Sequence, residues 1–173
     1  MSVRILVTGG TFDKEYDEIK GQLYFKDTHM REILELGRSR LDVKIRTLML
    51  VDSLDMTNTD RLLILENCRA VEEDQIVITH GTDTMTKPGE VLAEARLEKT
   101  MVLTGAMIPY KFGSSDGLFN CSESIVPFEV TTPVTALLLL PLLNPVTSTP
   151  VIIFAPSFLA LFPHAPIATL FGE

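Results

Sequence analysis

Short apolar runs that stop at glycine turns constrain this chain more than any other feature. Val3–Val7 runs into Thr8-Gly9-Gly10-Thr11, Gln75–Thr79 into His80-Gly81-Thr82-Asp83-Thr84, and Thr100–Thr104 into Gly105. Each reads as a buried strand ending in a tight turn. Val43–Val51, followed by Asp52-Ser53, reads as a fourth strand. Helical stretches alternate with them. Thr28 is placed to cap a helix that continues to about Gly37, with Met30, Ile33, Leu34 and Leu36 apolar. Asp55 or Thr57 would cap a second helix over Asp60–Val71, with Leu62, Leu63, Ile64 and Leu65 expected to face the core. Pro88 suits the first turn of a third helix, which continues over Gly89–Leu97. Strands alternating with helices imply an α/β fold, an open, mostly parallel sheet with helices on both faces.

Composition breaks near Asn120. All 15 Lys and Arg lie in residues 1–120, together with 20 of the 23 acidic residues, whereas 121–173 hold eight of the ten prolines. Between Glu129 and Glu173 there is no formally charged residue, only His164. The chain therefore divides into an α/β domain over 1–120 and an atypical, apolar, Pro-rich segment over 121–173. That segment reads either as an altered frame or unrelated extension, or as a divergent end of the same domain. Its apolar stretches, Ala136–Leu143 and Val151–Phe162, are interrupted by Pro141 and Pro156, with Pro145 and Pro150 between them. A membrane helix needs about 20 apolar residues with an intact backbone ladder, so no membrane association is expected. Short buried strands or a sticky tail are expected instead, and with them a homo-oligomer.

The net charge of −8 offers no basic excess to displace counterions, which argues against a nucleic-acid partner. Cys68 and Cys121 cannot form a disulfide framework and read as reduced, buried thiols. Residues 1–7 lack a basic segment leading into a long apolar one, so a cytoplasmic location is expected.

In an open parallel sheet, ligands bind at the carboxyl ends of the strands. The turns described above place Thr11, Ser53, Thr82 and Asp83 on one such rim. A threonine hydroxyl becomes a nucleophile when a base takes its proton, and backbone N–H groups of glycine turns can hold an oxyanion. Two threonines and a carboxylate can therefore support acyl transfer, and Asp83 could pair with a substrate ammonium. The same hydroxyls could instead simply cap helices and close turns. A dinucleotide fingerprint is not met: Gly9 and Gly10 are adjacent, the next glycine is Gly21, and Asp13 and Glu15 would repel a pyrophosphate. His29, His80 and His164 lack metal-ligand spacing, so no metal is expected, and His80 reads as a hydrogen-bonded structural residue.

Taken together, Thr8-Gly9-Gly10-Thr11, Asp52-Ser53-Leu54-Asp55, Ile78–Met85, Val102–Met107 and Ser114–Asn120 resemble the bacterial-type asparaginase and glutaminase family. The likeness covers residues 3–120 and points to short forms equivalent to the N-terminal domain. The resemblance implies that Thr11 attacks the side-chain amide carbon and that Thr82 is the second essential threonine, with the order of attack left open. It implies that Asp83 binds the α-ammonium and joins a Thr–Lys–Asp group. Ser53 would hold the α-carboxylate beside the Asp52–Leu54 backbone, and Ala106 would offer a backbone contact to the amide. The tyrosine of the family's mobile loop matches Tyr16, with Tyr24 the alternative. The implied reaction is hydrolysis of L-asparagine to L-aspartate and ammonia through an acyl-enzyme, without a cofactor; L-glutamine and other small amides also fit. One part of the pattern is missing. The family's lysine segment has no counterpart, since no Lys or Arg follows Lys111, and Lys87 and Lys111 are the nearest substitutes. A homologue that binds Asn or Asp without turnover is therefore the alternative.

Overall fold

Residues 2–125 and 151–154 are described by a computed structural model of the chain. In chain order the elements are β1 (Ser2–Gly9), a short turn over Thr11–Asp13, β2 (Lys14–Asp17), β3 (Gln22–Phe25), α1 (Met30–Leu36), β4 (Asp42–Val51), α2 (Asn58–Ala70), β5 (Gln75–Thr79), α3 (Thr86–Glu94), β6 (Thr100–Thr104), α4 (Gly117–Ile125) and β7 (Val151–Phe154). Within the described residues, the main sheet runs β4-β1-β5-β6-β7, and every neighbouring pair is parallel. The chain leaves β1 to build β4 on one side, then crosses back to build β5 on the other. That reversal puts a topological switch point between β1 and β5, and the crevice above it is where an open α/β sheet takes its ligand.

Both faces of the sheet are covered, so the strands are apolar on both sides. Val3, Ile5 and Val7 of β1, Val77 of β5 and Val102 of β6 pack with Met30 and Ile33 of α1 and Cys121 and Ile125 of α4. The alternate residues, Leu6, Ile76, Ile78, Met101 and Leu103, pack with Ile64, Leu65 and Cys68 of α2 and Leu92 of α3. Truncating any of these large side chains to alanine would cost about 2–5 kcal/mol. At the end of the sheet away from the glycine turns, Arg4 on β1 grips Glu73 with two hydrogen bonds of 3.0 Å, and Lys44 on β4 reaches the same carboxylate at 2.8 Å. These contacts pull the Glu73 carboxyl down to about 2. Burial pushes the Cys68 and Cys121 thiols up to about 12, so both are inert.

The expected strands are present, and the structure corrects several details around them. Leu62 and Leu63 are exposed at 52% and 40%, while Ile64 and Leu65 are buried. Successive residues on a helix turn by 100°, so four adjacent leucine-like residues cannot all face one core. The first helix starts at Met30; Thr28 still serves it, because its Oγ1 accepts the Met30 N–H at 3.3 Å. Pro88 is the third residue of α3, which ends at Glu94. The β2–β3 hairpin was not foreseen. Nor did the change in composition mark an end of structure: α4 runs through position 120, and β7 pairs with β6 in the register Met101 to Val151. The Ala136–Leu143 run and the rest of the Pro-rich stretch lie outside the described residues. Among the described residues, no helix is long and apolar enough to cross a membrane.

Of the two cap candidates for α2, the structure uses Thr57. Its Oγ1 accepts the Asp60 N–H at 3.3 Å, and Asp60 Oδ2 accepts the Thr57 N–H at 2.8 Å, a reciprocal capping box. Thr57→Ala should therefore destabilise the fold by about 1 kcal/mol in urea unfolding. An Asp55→Ala change as large as that of Thr57→Ala would contradict this assignment.

Candidate active site

Four strand ends converge above the switch point. β1 ends in Gly9 and Gly10, both with positive φ, at 102° and 81°. Gly10 N–H donates to the Val51 carbonyl at the end of β4, at 3.3 Å. On its other side Gly10 lies against Gly81: a Cβ on Gly10 would sit 2.5 Å from the Gly81 nitrogen. Gly81 in turn lies against Ser53, since a Cβ there would sit 2.5 Å from Ser53 Oγ. No side chain fits between these three loops, and only glycine tolerates both the contact and the left-handed backbone at position 10.

The neighbouring functional groups are thereby gathered. Thr11 follows Gly10, Thr82 follows Gly81, and Ser53 is packed onto the junction with 1% exposure. Among the described residues Ser53 Oγ is buried without a hydrogen-bond partner, while its carbonyl accepts Thr84 Oγ1–H at 2.8 Å. A buried hydroxyl without a partner is costly, and a ligand group would relieve it. Thr82 reaches the fourth strand end: its Cγ2 lies 3.1 Å from the Cβ position of Gly105, beside buried Ala106. Asp83 and Leu54 are exposed on the same rim.

Other groups set the shape of the rim. Thr8 Oγ1–H donates to the Thr79 carbonyl at 2.6 Å, clamping β1 to β5 just below the turns. His80 N–H donates to the Thr104 carbonyl at 2.8 Å. His80 Nδ1 lies 2.7 Å from the Gly81 carbonyl, which can only accept, so Nδ1 carries the proton. Burial pushes the imidazole pKa down, against the pull of that hydrogen bond. The ring is a hydrogen-bonded brace, as the sequence suggested. Asn120 donates to the Gly105 carbonyl at 2.8 Å and to Asp116 at 2.9 Å, and Asp116 in turn accepts the Met107 and Ile108 N–H groups.

Both tyrosines named in the sequence lie on the β2–β3 hairpin. Tyr16 is 48% exposed on β2, with its hydroxyl over Gly21 at the hairpin turn, 3.7 Å from the Cβ position there. Tyr24 on β3 donates its hydroxyl to Glu15 at 3.2 Å. The two lysines that could stand in for the missing one sit elsewhere than in the family's lysine segment. Lys111 is bound to Glu32 at 2.8 Å, and Lys87 is exposed on α3. The cation that does reach the rim is Lys14, bonded to Asp52, and sequence reasoning missed it. Its position three residues after Thr11 was the available signal. Among the described residues, no cluster of His, Cys, Asp or Glu could hold a metal ion.

Asp13, two residues after Thr11, turns inward and is fully buried. Its Oδ1 accepts the His29 N–H at 2.9 Å, and its Oδ2 has no partner among the described residues. Burial raises its pKa to about 6, although the His29 N–H and the Thr28 hydroxyl pull the other way. The folded chain thus holds a proton between about pH 4 and about pH 6 that the unfolded chain releases, and stability falls as pH rises through that window. Asp13→Asn keeps the acceptor for His29 and removes the titration. By thermal unfolding, the variant should match the parent near pH 4. It should exceed the parent at pH 7.5 by on the order of 1–3 kcal/mol. A parent that is the more stable at pH 7.5 would refute this.

Comparison with known proteins agrees with this architecture. A model of the asparaginase N-terminal domain matches residues 2–132. The chain is 30% identical over 133 residues to a probable periplasmic L-asparaginase of Haemophilus influenzae, covering 72% of this chain and 38% of that protein. The thermostable L-asparaginase of Thermococcus kodakarensis superposes with a TM-score of 0.60 at 30% identity, over 72% of this chain and 40% of that one. A probable cytoplasmic L-asparaginase of Campylobacter jejuni shares the fold, with a TM-score of 0.62 at 22% identity over 87% of this chain and 44% of that one. The chain spans roughly two fifths of the length of such relatives. With its switch-point crevice, its two threonine turns and a family match over most of its length, the chain belongs to the asparaginase family and corresponds to that family's N-terminal domain.

Proposed function

We propose that this chain hydrolyses the side-chain amide of L-asparagine to L-aspartate and ammonia, with a threonine as nucleophile. The observation that supports this reading is the glycine junction: Thr11 follows Gly10, Thr82 follows Gly81, and Ser53 packs on Gly81 with its hydroxyl unpartnered among the described residues. Ser53 Oγ, with the Asp52–Leu54 backbone, would receive the α-carboxylate, and exposed Asp83 would receive the α-ammonium. A threonine Oγ then adds to the amide carbon, and its proton passes to the amide nitrogen. Backbone N–H groups of the turns hold the oxyanion, and Ala106 lines the amide side. Collapse expels ammonia and leaves an ester on the threonine. Water adds to that ester and releases aspartate, returning a proton to Oγ. Every step is proton transfer and acyl transfer, without redox chemistry.

A second reading is binding without turnover. The observations favouring it are that the family's lysine segment has no counterpart in the sequence and that Lys111 is bound to Glu32. General acid–base assistance is typically worth about 10²–10⁴-fold in rate, so its loss would slow the chain severely.

Ammonia release from L-asparagine and from L-glutamine, measured beside L-aspartate binding, separates the two. The hydrolase reading predicts release from L-asparagine that falls at least about a thousandfold in Thr11→Ala. Equal rates for that variant and the parent would overturn Thr11 as nucleophile. Binding of L-aspartate with no ammonia release would establish the second reading.

A further inference from the structure

Lys14 joins the two sides of the crevice. It is the first residue of β2, and its ammonium is hydrogen-bonded to Asp52 Oδ2 on the loop that carries Ser53. The two side chains retain 19% and 29% exposure, so the pair is largely withdrawn from water. Asp52 is itself fixed. Its Oδ1 accepts the Leu54 N–H at 3.0 Å, and its carbonyl accepts the Asp55 N–H at 3.0 Å. The Lys14 ammonium holds the Asp52 carboxyl below the usual carboxylate range, helped by the Leu54 N–H.

The hairpin holds the lysine from its other side. Phe25 faces Lys14 in the β2–β3 register, and the ammonium lies 5.6 Å from the centre of the Phe25 ring. Through Lys14 the whole hairpin is thus tied to the Ser53 loop. Thr11 lies between this tie and the Gly10 junction, so the turn that carries it is anchored at both ends. Among the described residues, no other hydrogen bond runs from β2 or β3 to the Asp52–Leu54 loop.

We propose that Lys14 is a positioning residue, whose ion pair with Asp52 latches the Thr11 turn and the β2–β3 hairpin onto the Ser53 loop. The latch rests on the functional reading given above, because it gives the crevice its closed side. Fully exposed ion pairs contribute little, but a charge-assisted bond that is mostly shielded and held at both ends is stronger.

Hydrogen–deuterium exchange on the full chain tests the latch directly, together with titration of L-aspartate. The set is the parent, Lys14→Met, Lys14→Arg, Asp52→Asn and the Lys14→Met/Asp52→Asn double variant. Loss of the pair should speed exchange of the 14–25 amides about tenfold in each single variant, with α3 and β6 unchanged, and weaken aspartate binding by a similar factor. The double variant should be no worse than the worse single one, since both remove the same bond. Lys14→Arg should stay within about threefold of the parent. An unchanged hairpin in Lys14→Met, or single effects that multiply in the double variant, would overturn the proposal. Should Lys14→Met fail to fold, Asp52→Asn against Lys14→Arg makes the same comparison. A hairpin that loosens as described in a chain that binds no aspartate would support the latch and refute the reading of the site.

Discussion

The close approach of Gly10 to Gly81 is the contact on which the rest of the site depends. A parallel sheet buried on both faces brings β1 and β5 side by side, but it does not oblige the loops beyond them to touch. Here a Cβ on Gly10 would overlap the backbone at Gly81, and one on Gly81 would overlap Ser53. The absence of two side chains therefore closes three loops onto one another. The polar residues that follow each glycine inherit their positions from that closure.

The electrostatics around this junction follow from which groups water can reach. Asp13 is shut into the core side of the Thr11 turn, and burial raises its pKa to about 6. Asp52, on the rim, keeps its charge because Lys14 and the Leu54 N–H stabilise it. His80 is buried beneath the junction, and burial pushes its pKa down. Burial thus moves Asp13 and His80, while charge pairing moves Asp52.

Much of the scaffold was legible in the sequence. Runs such as Val3–Val7 and Gln75–Thr79 have one reading when a glycine turn follows, and the same turns marked the rim. The β2–β3 hairpin was not legible. Its strands, Lys14–Asp17 and Gln22–Phe25, are four residues each, and neither alternates apolar with polar residues to reveal it. The phase of α2 was hidden for a different reason: Leu62–Leu65 is apolar throughout, so only packing decides that Ile64 and Leu65 turn inward. The Lys14–Asp52 bond joins residues 38 positions apart, a distance over which charge pattern alone says nothing. Nor could composition show that α4 runs through position 120, because helix formation there depends on the face that Cys121 and Ile125 bury against the sheet.

The central claim is that the crevice above β1 and β5 is the ligand site. Titrating the labelled chain with L-aspartate while recording backbone amide resonances tests it most directly. The account predicts shifts concentrated at Gly10–Phe12, Asp52–Leu54 and Gly81–Asp83. Saturable shifts confined to another part of the molecule, with these amides unmoved, would contradict it.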